Sequence, residues 1–283
     1  MTMTERTLSC LGPHGFHRMH YVDWAGPSKS APIVLCTHGM TRNSRDFDIL
    51  AKALTRRFRV VCPDYPGRGK SEWLTHSQDY NYPVYLADLV ALIARLDVDQ
   101  VDWIGTSMGG LTGMMIAAQP GNPIRRLVVN DIGPFIPKAA LMRLKEYVGI
   151  DPKFSDIEEA EAHLRYTHAA FGPMADWWWR HLAQHAVRKK PDGSFGFSYD
   201  PRIADALKGE VEDVDLWALW DQIRCPALLL RGVESIFLLD RDAQAMTQRG
   251  PKATLVEFEG IGHAPSLTVE DQIEAVMSFL DEG

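Results

Sequence analysis

The stretch Val101-Asp102-Trp103-Ile104-Gly105-Thr106-Ser107-Met108-Gly109 carries a short apolar run directly into a G-x-S-x-G pentapeptide. A second apolar run, residues 111–117, follows at once, so the pattern places Ser107 at a turn between a buried strand and a helix. Glycines are needed on both sides of the serine because side chains there would collide across so tight a turn. The sequence therefore predicts a serine hydroxyl that projects from the end of a strand, which is the position of a nucleophile.

Three further segments occur in chain order around this turn. The first ends an apolar strand pattern with His38-Gly39-Met40, where a backbone amide can face an anion. The second is the turn-rich loop of residues 65–71, and the third is Gly262-His263, which follows the last strand pattern of the chain. Because a G-x-S-x-G pentapeptide also occurs at unreactive turns, the specificity of the signal lies in all four segments together.

With these four segments the chain resembles the α/β-hydrolase family over nearly all of its length. The resemblance implies an acyl-transfer reaction in which Ser107 attacks a carbonyl carbon and His263 takes the serine proton. It also implies that the backbone amides of Met40 and Met108 stabilise the oxyanion. His38 is expected beside the oxyanion site, where it positions the loop rather than acting as a base.

Strand and helix patterns alternate along most of the chain, as in an α/β fold with a mostly parallel central sheet and helices on both faces. An N-terminal stretch, residues 5–24, has the pattern of an antiparallel hairpin at the sheet edge. The predicted strands then lie at residues 33–37, 59–62, 101–104, 126–131, 227–232 and 253–258, with helices at about 44–55 and 84–96 between them.

The strand rhythm stops between Asp131 and Pro226, where the composition shifts to helix formers and aromatic residues. We assign residues 135–220 to an inserted helical segment, and residues 1–134 and 221–283 to the α/β-hydrolase core. Within the insertion, residues 175–187 have the pattern of an amphipathic helix with Trp178, Leu182 and Ala186 on one face. The resemblance implies that this insertion is a lid, or cap domain, over the serine. Trp178 of the insertion and His38 of the core are candidate pocket residues, although aromatic side chains at helical spacing also commonly just pack a lid onto a core.

A serine and a histidine need a carboxylate behind the imidazole ring, because the acid fixes the tautomer and stabilises the imidazolium. The position at which related chains carry an aspartate is occupied here by Ile236, which cannot do this. Asp131 is the preferred replacement, since the ends of neighbouring strands converge on one site, but it is also suited to capping a turn. Glu234, Asp240 and the absence of any functional acid remain open alternatives.

Composition and charge restrict the partners of the chain. A formal net charge of −7 with scattered basic residues argues against nucleic acid and anionic membrane surfaces. The chain shows neither the apolar segment of a signal peptide nor a run long enough to span a bilayer, so we expect a cytoplasmic protein. His181 and His185 have the spacing of a zinc protease motif, but Leu182 replaces its glutamate, and no metal or cofactor is implied.

The sequence thus predicts a serine hydrolase that cleaves a carboxylic ester, lactone or thioester through an acyl-Ser107 intermediate. The aromatic insertion favours a small-molecule substrate with an apolar moiety. Two alternatives stay open. The same serine site also serves carbon-carbon bond hydrolases of the family, and Ile236 is compatible with a catalytically impaired protein that binds a ligand in a hydrolase fold.

Overall fold

The chain begins with the hairpin that the sequence predicts. In the computed structural model, which describes residues 2–281, β1 (Met3–Gly12) pairs antiparallel with β2 (Gly15–Trp24) along their whole length. Residues 1, 282 and 283, at the outer ends of the predicted core, lie outside the described residues.

Strands and helices then alternate up to the insertion. Their bounds, in chain order, are β3 (Ile33–Thr37), a 3-10 turn (Ser44–Phe47) leading into α1 (Asp48–Leu54), β4 (Arg59–Pro63), a 3-10 turn (Ser77–Asp79), α2 (Tyr82–Arg95), β5 (Val101–Thr106), α3 (Met108–Ala117) and β6 (Ile124–Asn130).

The insertion contains helices and short strands. Its elements are β7 (Phe135–Ile136), α4 (Lys138–Lys145), α5 (Ile157–Thr167), a 3-10 turn (Ala169–Phe171), α6 (Asp176–Ala186), β8 (Val187–Lys189), β9 (Phe195–Phe197), a 3-10 helix (Pro201–Leu207), β10 (Val214–Asp215) and α7 (Trp217–Trp220). The chain then returns through β11 (Ala227–Gly232), α8 (Asp240–Met246), β12 (Thr254–Phe258) and α9 (Glu270–Asp281).

Eight strands form one twisted sheet in the order β1-β2-β4-β3-β5-β6-β11-β12. The strands from β4 to β12 in this order run parallel to one another, and β1 and β2 are antiparallel additions at one edge. This arrangement confirms the predicted α/β fold with a mostly parallel sheet.

The central strands are apolar on both faces because helices cover both faces of the sheet. In β3, Leu35 packs into the cluster that contains Leu89 of α2, whereas Cys36 packs into the cluster that contains Leu50 of α1 and Phe279 of α9. Successive side chains of a strand point to opposite faces, so each central strand contributes to both halves of the core.

The two ends of the insertion meet where they leave the core. β7 pairs antiparallel with β10, with Ile136 opposite Val214. Within the insertion, α6 buries the face that the sequence predicts, and Trp178, Leu182 and Ala186 lie together in a separate apolar cluster. A second strand pair, β8 with β9, interrupts the expected helical composition. None of the helices in residues 2–281 is long and apolar enough to cross a membrane.

Candidate active site

Ser107 lies in the tight turn between β5 and α3. Its φ of 54° and ψ of −117° are strained for a residue with a side chain. A Cβ atom at Gly109 would lie 2.1 Å from the carbonyl oxygen of Thr37, and one at Gly105 would lie 2.2 Å from the carbonyl oxygen of Gly109. The two glycines are therefore required by direct backbone contacts, as the pentapeptide predicts.

His263 lies between Ser107 and Asp131. Its Nε2 atom is 2.9 Å from Ser107 Oγ, and its Nδ1 atom is 2.8 Å from Asp131 Oδ2. An ionised carboxylate only accepts hydrogen bonds, so the ring proton belongs on Nδ1 and the lone pair of Nε2 faces the serine hydroxyl. The arrangement can remove a proton from Ser107 and stabilise the charge that forms on the ring.

Asp131 is the carboxylate, among the three considered from sequence, that touches His263. It is fully buried at the end of β6, with a φ of 56°. Glu234 and Asp240 are exposed, and Asp240 is the first residue of α8. Ile236 is 46% exposed and lines the cavity at Ser107.

The end of β11 and the loop that follows it also donate hydrogen bonds to the Asp131 carboxylate. The amide of Gly232 donates to Asp131 Oδ1 at 2.9 Å, and the hydroxyl of Ser235 lies 2.6 Å from Asp131 Oδ2. Sequence reasoning assigned no role to Ser235. The one sequence signal that pointed to Ser235 was its place immediately before Ile236, the position at which the family resemblance predicts the acid.

Asn130, the last residue of β6, links the serine turn after β5 to the histidine loop after β12. Its carbonyl oxygen accepts the amide proton of Ser107 at 2.9 Å. Its side-chain amide donates to the hydroxyl of Thr106 at 3.1 Å and to the carbonyl oxygen of Pro265, in the histidine loop, at 2.9 Å. The serine turn and the histidine loop are thus tied to the same strand end.

The two amides predicted to form an oxyanion hole lie at defined backbone positions. Met108 is the first residue of α3, so its N–H has no acceptor within the helix. The carbonyl of Gly39 accepts hydrogen bonds from His38 Nδ1 at 2.7 Å and from the amide of Arg42 at 3.2 Å. The N–H of Met40 belongs to the same planar peptide group and therefore points away from both donors.

His38 is held by the backbone on both sides of its ring. Its Nε2 atom accepts the amide proton of Tyr65 at 3.1 Å, while Nδ1–H donates to Gly39. Burial lowers the pKa of His38 to about 4, so the ring is neutral at neutral pH. Through these contacts His38 holds the peptide group between Gly39 and Met40, to which the Met40 N–H belongs.

The structure places His38 and Trp178 away from the cavity at Ser107. Both line a neighbouring cavity of about 40 Å³ whose lining does not include Ser107. Trp178 is 2% exposed and stacks on His181 with ring centroids 4.4 Å apart, because it faces the apolar interior of the insertion. This smaller cavity shares Gly39 and Thr106 with the cavity at Ser107, and the assignment of the two side chains to a substrate pocket stays a prediction.

A larger cavity of about 500 Å³ lies over Ser107. The core contributes Ser107, His263 and Met40 to its wall, and the insertion contributes mainly apolar and aromatic side chains. The latter include Ile136, Leu141, Leu144, Tyr147, Phe197 and Tyr199.

Arg68 is a buried arginine that the sequence reasoning did not connect with the site. Its Nε atom donates to the carbonyl oxygen of Met40 at 2.8 Å, and one of its terminal nitrogens donates to the hydroxyl of Tyr85 at 2.9 Å. It thereby ties the loop of residues 65–71 to the loop after β3. The signal that was available is an arginine between two glycines, in the loop that follows the buried strand β4.

His181 and His185 of α6 come close to Asp48 of α1, with one ligand atom from each residue within 4.8 Å of the others. The guanidinium group of Arg45 already contacts both oxygens of the Asp48 carboxylate, and His181 Nε2 lies 3.1 Å from it. Asp48 is thus already paired with Arg45 of the core, and His181 contacts this pair from the insertion.

Comparison with known proteins agrees with this fold. The model of the alpha/beta hydrolase family matches residues 33–277, and the chain belongs to that family. It is 39% identical over 282 residues to a 3-hydroxybutyrate-oligomer hydrolase from Cupriavidus necator, with 96% of each chain covered.

Two solved structures share the fold over nearly the whole chain. A hydrolase from Rickettsia typhi is 32% identical, has a TM-score of 0.92 and covers 100% of both chains. An alpha/beta hydrolase from Novosphingobium aromaticivorans is 35% identical, has a TM-score of 0.88 and covers 99% of this chain and 98% of its own. The protein is therefore a hydrolase of the alpha/beta class.

Proposed function

We propose that the protein is a serine ester hydrolase that cleaves short oligomers of 3-hydroxybutyrate through an acyl-Ser107 intermediate. The observation that carries the proposal is the hydrogen-bonded chain from Asp131 through His263 to Ser107, with contacts of 2.8 and 2.9 Å, beneath a cavity of about 500 Å³. The oligomer specificity is taken from the name of the relative with 39% identity.

In the first half-reaction, Ser107 Oγ forms a bond to the ester carbonyl carbon while its proton moves to His263 Nε2. The negative charge passes to the carbonyl oxygen, where the amides of Met40 and Met108 stabilise it. When the intermediate collapses, the carbon-oxygen bond to the alcohol breaks, and His263 returns the proton to the departing oxygen. The acyl group stays on Ser107.

In the second half-reaction, a water molecule takes the place of the alcohol. His263 accepts a proton from the water as its oxygen bonds to the acyl carbon, and the same two amides hold the charge. Collapse breaks the bond to Ser107 Oγ, which regains its proton from His263. The products are a carboxylic acid and the free enzyme.

The insertion, residues 135–220, acts in this proposal as a lid that forms the substrate-binding wall of the cavity. Its side chains Leu144, Tyr147 and Phe197 present apolar surface across from the catalytic serine. Such surface suits the methyl branches of a 3-hydroxybutyrate chain, because apolar contact is favourable wherever water is displaced from both partners. The β7–β10 pair supports the assignment, since it brings both ends of the insertion to one place on the core.

The test is hydrolysis of a linear 3-hydroxybutyrate trimer, with products separated by chromatography. We expect the wild-type enzyme to release monomer and dimer at a rate about 10³-fold or more above that of Ser107→Ala. Ser9→Ala, which changes an exposed serine of β1, is the matched control and should retain the wild-type rate.

Equal rates in the wild type and Ser107→Ala would contradict the serine mechanism. Rapid cleavage of p-nitrophenyl butyrate without cleavage of the trimer would contradict the oligomer specificity and leave the ester hydrolase activity standing.

A further inference from the structure

The loop after β11, residues 232–238, is fastened to the carboxylate of Asp131. Gly232 and Ser235 each donate one hydrogen bond to it, and His263 supplies the third. Ser235 is 6% exposed and Asp131 is fully buried, so water does not compete effectively for the contact of 2.6 Å between them. The family resemblance predicts the acid on this loop, whereas the loop here hydrogen-bonds to an acid at the end of the neighbouring strand, β6.

The direction of the hydroxyl proton follows from the other partners of Ser235. The amides of Phe237 and Leu238 both lie 3.2 Å from Ser235 Oγ and donate to it. A hydroxyl has one proton to give, and neither amide can accept it. The proton must therefore point to Asp131 Oδ2, which is the oxygen that also accepts the Nδ1 proton of His263.

The turn formed by residues 235–238 also contacts the imidazole ring of His263 directly. Phe237 packs against His263, with ring centroids 4.1 Å apart and an angle of 31° between the planes. Because the amide of Phe237 is held by Ser235 Oγ, the turn fixes the carboxylate and the face of the ring together.

We propose that Ser235 is a positioning residue for catalysis, which acts through Asp131 to hold the carboxylate in the place that orients His263. This proposal rests on the proposed function. Charge-assisted hydrogen bonds are stronger than neutral ones, and a carboxylate with three donors has little freedom to rotate. Ile236 occupies the position at which the family resemblance predicts the acid. Ser235 makes Asp131 effective as the acid instead.

A purely structural role for Ser235 would be to cap its own turn, since serine hydroxyls commonly accept from amides two and three residues ahead. That role uses the contacts to Phe237 and Leu238 but not the contact to Asp131. The two roles are therefore separated by a measurement that reports on His263 and Ser107 rather than on folding.

The experiment is the rate at which a fluorophosphonate labels the protein, followed by intact mass, together with the low-field proton NMR signal of His263 Nδ1–H. The variants are Ser235→Ala, Ser235→Thr, Ser107→Ala and Ser194→Ala. Ser194 is a matched control because its hydroxyl also donates to an aspartate, Asp192, at 2.6 Å, but within the insertion.

We expect Ser235→Ala to slow labelling about tenfold or more and to shift the low-field signal, because one charge-assisted hydrogen bond is lost. Ser235→Thr keeps the hydroxyl and should recover most of the rate, whereas Ser194→Ala should match the wild type. If Ser235→Ala does not fold, Ser235→Cys replaces it. A thiol is a weaker donor of similar size, so this variant should give an intermediate rate and a smaller shift of the signal.

Labelling at the wild-type rate in folded Ser235→Ala, with an unchanged low-field signal, would overturn the role of Ser235 while leaving the proposed function intact. A lower melting temperature without a change in either readout would do the same, because it would identify a turn cap. Labelling that persists in Ser107→Ala would instead overturn the proposed function. The low-field signal needs no reaction at Ser107 and would still decide the role of Ser235.

Discussion

At the scale of single residues, the site depends on two non-glycine residues in the left-handed region, Ser107 with a φ of 54° and Asp131 with a φ of 56°. Such conformations are costly and persist only where the surroundings hold them in place. The amide of Ser107 donates to Asn130 and that of Asp131 donates to Leu230, so both residues are fixed by neighbouring strand ends. The strained backbone conformations direct the Ser107 hydroxyl and the Asp131 carboxylate towards the same imidazole ring, that of His263.

Replacing Asp131 by asparagine should lower kcat for p-nitrophenyl butyrate by up to about 10⁴-fold with little change in KM. The side-chain amide can donate to His263, which favours the wrong tautomer and removes the charge that stabilises the imidazolium. Steady-state kinetics of the purified variant give the result. Asp240→Asn, at an exposed position on α8, is the control and should keep the wild-type kcat. A variant of Asp131 that retains most of the wild-type kcat would assign the acid to another residue or to none.

Ser107, His263 and the two flanking glycines are readable from sequence because their constraints are local, within a few residues of one turn. The partner of His263 is not local. Asp131 is 132 positions from His263 in the chain, and its contact Ser235 is 104 positions from Asp131. Asp131 could be predicted from the sequence as one of several candidates for the acid. The roles of Ser235 and Arg68 can be assigned only from contacts between loops that are distant in the chain.

At the scale of elements, the strands buried on both faces were the most predictable. The observed bounds of β3 and β11 equal the predicted ones, because continuous apolar runs between turn residues permit few other assignments. The short pairs β7–β10 and β8–β9 were not predicted. Strands of two or three residues are too short to show a period of two, and their pairing depends on chain segments far apart in sequence.

The insertion shows why pocket residues are harder to predict than helix faces. The apolar face of α6 was predicted correctly, with Trp178 buried on it. Whether that face points to the cavity or to the interior of the insertion depends on how α5 and α6 pack, and here the two helices share one cluster with Leu164 and Trp178. The cavity wall comes instead from residues such as Leu144 and Phe197, which carry no distinctive pattern.

At the scale of the whole molecule, buried neutral histidines couple folding to pH. Burial lowers the pKa of His38 from its ordinary 6.5 to about 4, and burial also lowers that of His185 to about 4. Between pH 6.5 and 4 the unfolded chain binds more protons than the folded one at these positions. Their contribution to stability is therefore full above pH 6.5, falls progressively as the pH drops from 6.5, and is gone below about pH 4.

We expect His38 to account for about 2 kcal/mol of the stability lost between pH 7 and pH 5. Urea unfolding of the wild type and of His38→Asn at both pH values measures this, and the variant should show the smaller loss. His76→Asn, at an exposed histidine, serves as the control and should follow the wild type. Equal losses in all three proteins would show that His38 does not carry this pH dependence.

The most direct test of the Asp131–His263–Ser107 arrangement is the time course of p-nitrophenyl butyrate hydrolysis at an enzyme concentration that resolves the first turnover. A working carboxylate predicts continued release of p-nitrophenol over many turnovers, with a butyryl group on Ser107 detectable by mass spectrometry in quenched samples. A single stoichiometric burst that then stalls, or no release at all, would contradict it. The burst would show that the acyl-enzyme forms but is not hydrolysed, and the absence of release would show that this ester does not acylate Ser107.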